Sequence, residues 1–313
     1  MALIPLVRTP ASVYRPADLS LSQLHLIGRF RMDRIRLCGF HSVILLTSLA
    51  ATASAQEMRV YTTVRDLSAL GANEPAERAP VISRSLTLFH AGKVYDYVDA
   101  AKEVTVFEPS HHRFTLLNER RRTVTNVAQD EVRQYLGLVE QEAWKRLEAA
   151  NEQTTASQIR SLTWLKFQLK PEFDVSFDAA KSTVKMFDHS CRYSAEGQAA
   201  PSRGVVETYL RFADATAELN SVLHPRAPLP RPRLQLNDEL RRRELLPIIV
   251  ELRANLEPPL HLQARHEWTW KFQSTDRQLI SGWETQLKDA TQRRVSFRQY
   301  QQESLTTEVE RNR

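Results

Sequence analysis

The stretch HLQARHEWTWKF, residues 261–272, decides the fold of this chain. Leu262, Trp268, Trp270 and Phe272 recur at even positions and face one side of an extended chain, while polar residues occupy the other side. An alternation of period two predicts a half-buried strand. Twelve alternating residues exceed the usual strand length of about 5 to 6 residues, so we expect this strand to lie at the centre of a broad sheet.

Several shorter segments of the same kind precede this strand, with turn residues between them. Consecutive short strands with tight connections pair in an antiparallel way. The first part of the chain therefore predicts an antiparallel meander. Its expected strands are residues 59–65, 81–90, 94–98, 103–108, 113–118 and 123–127.

The rest of the chain predicts helices among further strands. An apolar stripe through residues 129–151 predicts a helix that must cover a sheet face. Asn237 is placed to cap a short helix at 238–245, and four prolines in residues 224–233 predict an extended connector before it. Helices are also expected at 205–223 and 278–290, and strands at 165–169, 173–177, 182–188, 248–256 and 294–300.

Together these patterns predict one α+β domain over residues 56–300, followed by a polar tail at 301–313 that frays in solution. We expect a large curved antiparallel sheet, shaped like half of a barrel, with helices packed on its concave face. The proline-rich connector is the one plausible internal boundary of this domain.

Residues 32–55 have the three-part layout of a secretory signal peptide. A basic head is followed by an apolar centre, Leu37 to Ala50, and by small residues at Ala53 to Ala55. The apolar centre is shorter than the roughly 20 residues of a membrane helix, so we expect cleavage after Ala55 and export to the periplasm or cell envelope, with an uncleaved anchor as the alternative. Residues 1–31 are interpreted as an over-extended start ahead of Met32.

The charge balance and the cysteines exclude two classes of protein. The chain has 43 basic and 37 acidic residues, but six arginines and two aspartates precede Gln56. The remainder is nearly neutral, whereas a nucleic-acid-binding surface needs a large uncompensated positive charge. Cys191 is the one cysteine after the leader, so a disulfide framework within the exported chain is excluded.

Few residues carry a catalytic pattern. Cys191 with His189 and the pair His111–His112 are the best candidates for a nucleophile or a metal site, and a buried thiol with turn histidines is the alternative. The motifs G-x-S-x-G, H-E-x-x-H, G-x-G-x-x-G and the Walker loop are absent from the sequence. We therefore expect no cofactor and no metal, and a non-enzymatic role is favoured, although a glycosidase-type carboxylate pair stays open.

Two further kinds of residue cluster are candidate binding sites, namely arginine triplets and an aromatic stripe. The arginine triplets 120–122 and 241–243 have acidic neighbours, which predicts local ion pairs on solvated faces or, alternatively, a site for anionic head groups. The aromatic stripe of Trp268, Trp270 and Phe272, with Leu262, predicts either packed core or an apolar ligand surface.

The hairpins of KVYDYVDAAKEVTVFEPSHHRFTLLNERR, residues 93–121, are followed by a covering helix and more long strands. In this pattern the chain resembles the periplasmic lipoprotein-carrier type of half-barrel over about residues 58–300. The resemblance implies a curved antiparallel sheet that wraps helices and holds acyl chains in an apolar cavity. The segments 171–240 and 246–252 also look like uncharacterised exported proteins of planctomycete-like bacteria, which implies a compartment and no activity.

These observations lead to three functional hypotheses. The first is a soluble envelope protein that binds a lipid or lipidated peptide, with Trp268, Trp270, Phe272 and Leu262 as lining residues. The second is a module with a filled core that binds an envelope protein through its connector or its edge strands. The third is an unrecognised hydrolase, which requires His111, His189 and Cys191 to lie together.

Overall fold

The first strands of the chain form a continuous antiparallel meander. The computed structural model describes residues 57–71, 74–150, 155–224 and 227–311. Within these ranges the first six strands pair in chain order, each of the first five with the strand that follows it. The strands are β1 (Met58–Asp66), β2 (Val81–His90), β3 (Lys93–Val98), β4 (Glu103–Glu108), β5 (Arg113–Asn118) and β6 (Thr123–Ala128).

The second part of the chain alternates helices with a second meander. Helices α1 (Gln129–Glu148) and α2 (Ala156–Leu169) lead to β7 (Asp174–Asp178), β8 (Thr183–Phe187) and β9 (Cys191–Ala199). Helices α3 (Arg203–Leu223) and α4 (Arg231–Arg242) then precede β10 (Leu245–Ala254) and β11 (Leu260–Thr269). The last described elements are α5 (Ser274–Lys288), β12 (Arg293–Arg294) and α6 (Phe297–Arg311).

All the described strands join in one open sheet of 12 strands, in the order β12-β6-β5-β4-β3-β2-β1-β11-β10-β9-β8-β7. The two meanders meet where β1 pairs with β11, and the short β12 is parallel to β6. The predicted α+β class is confirmed, with a curved, mostly antiparallel sheet and helices. The central place predicted for the strand at 261–272 is confirmed as well.

Four hairpins of the sheet close with the same kind of turn. In each turn the last residue has a left-handed backbone, with φ between 47° and 51°. This conformation costs a residue other than glycine about 1 kcal/mol, and it ends the turn so that the returning strand pairs in register. The residues are Lys102, His112, Arg122 and Ser182.

The two faces of the sheet pack against different helices. The inner face carries Val60, Phe89 and Phe107, which pack in one core cluster with α3. The outer face carries Tyr95 and Val104, which pack with Trp283 of α5. Because neighbouring residues of a strand point to opposite faces, β2 to β6 contribute apolar side chains to both layers. The prediction of helices on the concave face holds for α3, while α5 lies on the opposite face.

Helix α4 is held against α3 by a polar contact with good geometry. Asn237 Nδ2 donates to Asp214 Oδ1 over 2.6 Å, and Arg241 donates to Asp214 Oδ2 over 2.6 Å. Arg241 also pairs with Glu207 and Asp238. This network fixes the rotation of α4 about its axis and so determines which of its side chains face inward.

Several predicted elements differ from the structure. Residues 165–169 complete helix α2 instead of forming a strand, and the buried side chains of Phe167 and Leu169 pack in two different core clusters. Residues 297–311 form α6, so the predicted strand at 294–300 is wrong, and the described part of the predicted tail continues this helix to Arg311. Phe297 and Tyr300, one helical turn apart, are both buried in the core.

The structure around the proline-rich connector also differs from the prediction. Helix α4 starts at Arg231, inside the segment predicted to be extended, with prolines at Pro230 and Pro232 in positions that a first helical turn accepts. Asn237 therefore lies in the middle of this helix and does not cap one.

The leader and the start, residues 1–55, lie outside the described residues. Among the described helices, none has the length and apolarity needed to cross a bilayer.

Candidate functional site

Of the four predicted ligand-lining residues, Leu262 and Trp268 lie on the central strand β11 and Trp270 follows it directly, and these three share the inner face. Leu262 is buried, while Trp268 and Trp270 are half-buried beside the main core cluster. The two indole rings stack with centroids 5.9 Å apart, and Trp268 meets the ring of Tyr209 from α3 edge-on at 4.7 Å. These rings form a continuous aromatic surface between the sheet and α3.

Trp268 is held in place by an irregularity in the neighbouring strand. The pairing of β10 with β9 shifts register between Pro247 and Ile249. The carbonyl of Pro247 accepts a hydrogen bond from Trp268 Nε1 over 2.8 Å. The N–H group at the edge of the indole ring therefore has its hydrogen bond. The apolar face of the ring remains able to contact other groups.

Phe272 does not belong to this aromatic surface. Strand β11 ends at Thr269, and Phe272 packs with Ile280 and Trp283 in the cluster on the outer face. The strict alternation predicted through residue 272 is therefore wrong for its last residues. The reason is that the chain turns into α5 at Ser274, which carries Phe272 across the end of the sheet.

A row of buried polar residues crosses the inner face beside the aromatic surface. His266 lies directly opposite Thr62 of β1, and Thr62 lies directly opposite Ser85 of β2. In the adjacent row Thr87 lies opposite Asp96 of β3. All of these side chains are buried. The sequence does not predict this row, because its members belong to different strands that only the folded sheet brings together.

His266 is neutral and has one unsatisfied ring nitrogen. Its Nδ1 shares a hydrogen bond with Thr62 Oγ1 at 2.9 Å, while Nε2 has no partner among the described residues. Burial, assisted by the positive charge of Arg233, holds the pKa of His266 well below 6.5. A neutral imidazole whose Nδ1 accepts from Thr62 carries its proton on Nε2.

Asp96 is the one acid of these two rows. Thr87 Oγ1 donates to its Oδ1 over 2.6 Å. Burial raises the pKa of Asp96 above 3.8, and the hydroxyls of Thr87 and Ser85 oppose that shift. Ser85 acts on the carboxyl group from nearby without hydrogen-bond geometry. The carboxyl group is thus partly satisfied.

Arg233 on α4 is the most unusual residue of the region. Its side chain is 6% exposed, and Nε, Nη1 and Nη2 all lack a hydrogen-bond partner among the described residues. It lies near enough to Tyr193, Tyr209 and Asp214 for each to affect its pKa, which burial lowers. Arginine nonetheless stays protonated in proteins. A buried charge without partners is costly, by several kcal/mol, so this side chain calls for an explanation beyond packing.

Tyr209 joins the aromatic surface to the polar rows. Its ring is 6.4 Å from the ring of His266, and its hydroxyl has no partner among the described residues. Burial raises the pKa of Tyr209 to about 12, while Arg233 lowers it and Asp96 raises it. The hydroxyl therefore stays protonated and is a hydrogen-bond donor at neutral pH.

No family model and no curated protein matches this chain. The inference of function therefore depends on the geometry of the inner face.

The cysteine and histidine candidates do not form a site. Cys191 is buried in the core, and burial raises the pKa of its thiol. His189 is exposed, and exposed His111 contacts Glu108 in the turn after β4. Within the described ranges, no group of three or more His, Cys, Asp or Glu residues could hold a metal ion. The condition for the hydrolase hypothesis is therefore not met by these residues.

The arginine triplet 241–243 forms local ion pairs, as one of the two interpretations predicted. Arg241 pairs with Asp214, while Arg242 and Arg243 both pair with Glu239. In the triplet 120–122, Arg121 donates to Ser304 and Arg122 donates to Thr291. Arg233, which is buried without an acceptor among the described residues, lies outside both triplets, so charge patterning alone did not single it out.

Proposed function

We propose that this chain is an exported, non-enzymatic envelope protein that binds the acyl chain of a lipid or lipidated peptide on the inner face of its sheet. The observation that carries the proposal is the partial exposure of Trp268 and Trp270. Both lie on or beside the central strand and on the face covered by helices, although tryptophan side chains are highly buried on average. Partly exposed aromatic rings at such a place offer an apolar surface that a ligand can contact.

The surroundings of the two indoles suit an acyl chain. Tyr209 and Phe89 continue the aromatic surface toward α3, with ring centroids 6.3 Å apart. Ala264, on the same face of β11, is also half-buried and presents a small apolar side chain. The resemblance to lipoprotein-carrier half-barrels and the predicted signal peptide support the same role.

Fluorescence quenching tests this proposal with the tryptophans as reporters. A stearate brominated in the middle of its chain quenches an indole that it touches. We expect titration with this probe to quench Trp268 and Trp270, so that most of the quenching disappears in the double variant Trp268→Phe, Trp270→Phe. Trp144→Phe is the matched control, because Trp144 lies exposed on α1. Quenching that is absent, or unchanged in the double variant, contradicts the proposal.

Truncation of the same residues tests their share of the affinity. We expect Trp268→Ala with Trp270→Ala to weaken binding of the acyl probe at least about tenfold, because each truncation removes apolar contact worth about 1.5 to 3 kcal/mol. Trp283→Ala, on the outer face, is expected to lower stability without changing the affinity of the folded protein. An equal loss of affinity for the acyl probe in the double variant and in Trp283→Ala would argue against a ligand on the inner face.

A second candidate function is the binding of an extended peptide along β7. This strand is at the edge of the sheet, and its Val175 and Phe177 are 44% and 40% exposed. An edge strand with apolar side chains accepts another strand through backbone hydrogen bonds.

Site-specific crosslinking in the cell envelope tests this second candidate. A photo-crosslinking residue at position 176 of β7 should give a discrete protein adduct. The same residue at position 185, on the outer face of β8, should not. An adduct at neither position, or equal adducts at both, rules out strand addition at β7.

A further inference from the structure

We propose that Arg233, Tyr209 and His266 bind the anionic head group, a carboxylate or a phosphate, of the ligand on the inner face. This inference rests on the proposed function and names the chemical class of the amphiphile. Three buried polar side chains carry it, and each of them presents a hydrogen-bond donor with no acceptor among the described residues.

The three groups share burial and lack of partners. Arg233, Tyr209 and His266 are 6%, 1% and 2% exposed, so bulk water does not satisfy them. Buried polar groups in folded proteins are almost always hydrogen-bonded. Unsatisfied donors from α4, α3 and β11 in one region therefore indicate a site that a ligand completes.

The donors are of the kind that recognises an anion. The guanidinium group of Arg233 presents several N–H groups in a plane, which matches two oxygens of a carboxylate or phosphate. The hydroxyl of Tyr209 donates one more hydrogen bond. Nε2 of His266 is the third donor when Thr62 donates to Nδ1, at the observed 2.9 Å.

The acids of the region leave the charge of Arg233 unpaired. Asp214 is occupied by Asn237 and Arg241, both at 2.6 Å. Asp96 accepts from Thr87 and forms no ion pair with Arg233. A negative charge supplied by a ligand would therefore be the direct partner of the guanidinium group.

Tyr209 connects this donor cluster to the surface proposed for the acyl chain. Its ring contacts Trp268 at a centroid distance of 4.7 Å and lies 6.4 Å from His266. A ligand with its chain along the two indoles would thus place its head group beside Tyr209. This arrangement excludes a neutral head group as the preferred one, because it would leave the guanidinium group without a counter-charge.

Paired ligands test the inference on the full chain. Binding is measured for palmitate, for hexadecyl phosphate, and for hexadecanol, which has the same chain and no charge. We expect the unmodified protein to bind one or both anionic ligands at least about tenfold more tightly than hexadecanol. Arg233→Met should abolish that preference and leave hexadecanol binding unchanged. Arg242→Met is the control, since Arg242 is an exposed arginine of the same helix.

The outcomes separate this inference from the proposed function. Equal affinity for all three ligands, or an anion preference that survives Arg233→Met, overturns the head-group site and leaves the acyl-chain proposal standing. Failure of every long-chain ligand overturns the proposed function. If inorganic phosphate or acetate then still binds in an Arg233-dependent way, the anion site stands without a lipid. A preference for palmitate over hexadecyl phosphate, or the reverse, identifies the head group.

Discussion

The burial of the charged Arg233 side chain opposes the stability of the folded protein. Its guanidinium group is buried without an acceptor among the described residues. Replacement of buried charges by apolar residues is often neutral or stabilising by about 1 to 4 kcal/mol. Such a residue is expected at a binding site and not in a core that only has to fold.

Arg233→Met should therefore leave the free energy of unfolding unchanged or raise it by up to about 4 kcal/mol, measured by urea denaturation without ligand. A matched change at Arg241, which pairs with Asp214, should instead destabilise the protein. Strong destabilisation by Arg233→Met would mean that the guanidinium group has a structural partner in solution.

His266 predicts a pH dependence of stability. Its pKa is depressed in the folded protein, while the unfolded chain takes up a proton near pH 6.5. The unfolded state therefore binds more protons below pH 6.5, and stability falls as the pH falls, by at most about 1.4 kcal/mol per pH unit.

Thermal unfolding between pH 7.5 and pH 5 measures this slope. His266→Asn should reduce the loss of stability on acidification, whereas His189→Asn, at an exposed position, should not. Identical slopes for the unmodified protein and His266→Asn would show that the imidazole is not held neutral.

At the scale of elements, α6 is anchored to the sheet by a buried hydrogen bond. Tyr300 Oη donates to Glu103 Oε2 of β4 over 2.6 Å, and the guanidinium group of Arg121 lies 4.7 Å from the ring centre. Burial and the charge of Glu103 raise the pKa of Tyr300 well above 10, so the hydroxyl remains a donor. This bond attaches the last described helix to the first meander.

Tyr300→Phe should cost about 1.5 to 3 kcal/mol, because it leaves the carboxylate of Glu103 without its donor and retains the ring. Tyr97→Phe is the control, since the hydroxyl of Tyr97 makes a long contact of 3.4 Å with Asp99. Differential scanning calorimetry of both variants measures the difference. Equal melting temperatures would contradict a structural role for the Tyr300 bond.

The sequence predicted elements well where local pattern decides them. β4 and β5 were predicted with their observed bounds, because alternation and tight turns are local properties. Residues 165–169 and 297–300 were assigned to strands, because short apolar runs fit either period and tertiary packing decides between them. Phe297 and Tyr300 have the helical spacing that indicates α6 in retrospect.

The candidate site was only partly predictable for a physical reason. Trp268 and Trp270 lie on one strand, so their common face follows from alternation. Arg233, Tyr209 and His266 come from α4, α3 and β11, and their proximity is a property of packing between elements. The burial of one arginine among 43 basic residues leaves no local pattern in the sequence.

At the scale of the whole molecule, two antiparallel meanders meet at the pairing of β1 with β11, and α3 and α4 cover the inner face around that junction. The aromatic surface, the polar rows and the unpaired arginine all lie there. The junction thus combines an apolar wall with donors for an anion, which is the arrangement that an amphiphile requires.

Native mass spectrometry of protein purified from the cell envelope without detergent tests the central claim most directly. We predict a complex whose mass exceeds that of the polypeptide by one acyl-chain ligand, and we predict that Trp268→Ala with Trp270→Ala removes this ligand. A bare polypeptide mass that stays unchanged after incubation with palmitate and hexadecyl phosphate would contradict the account.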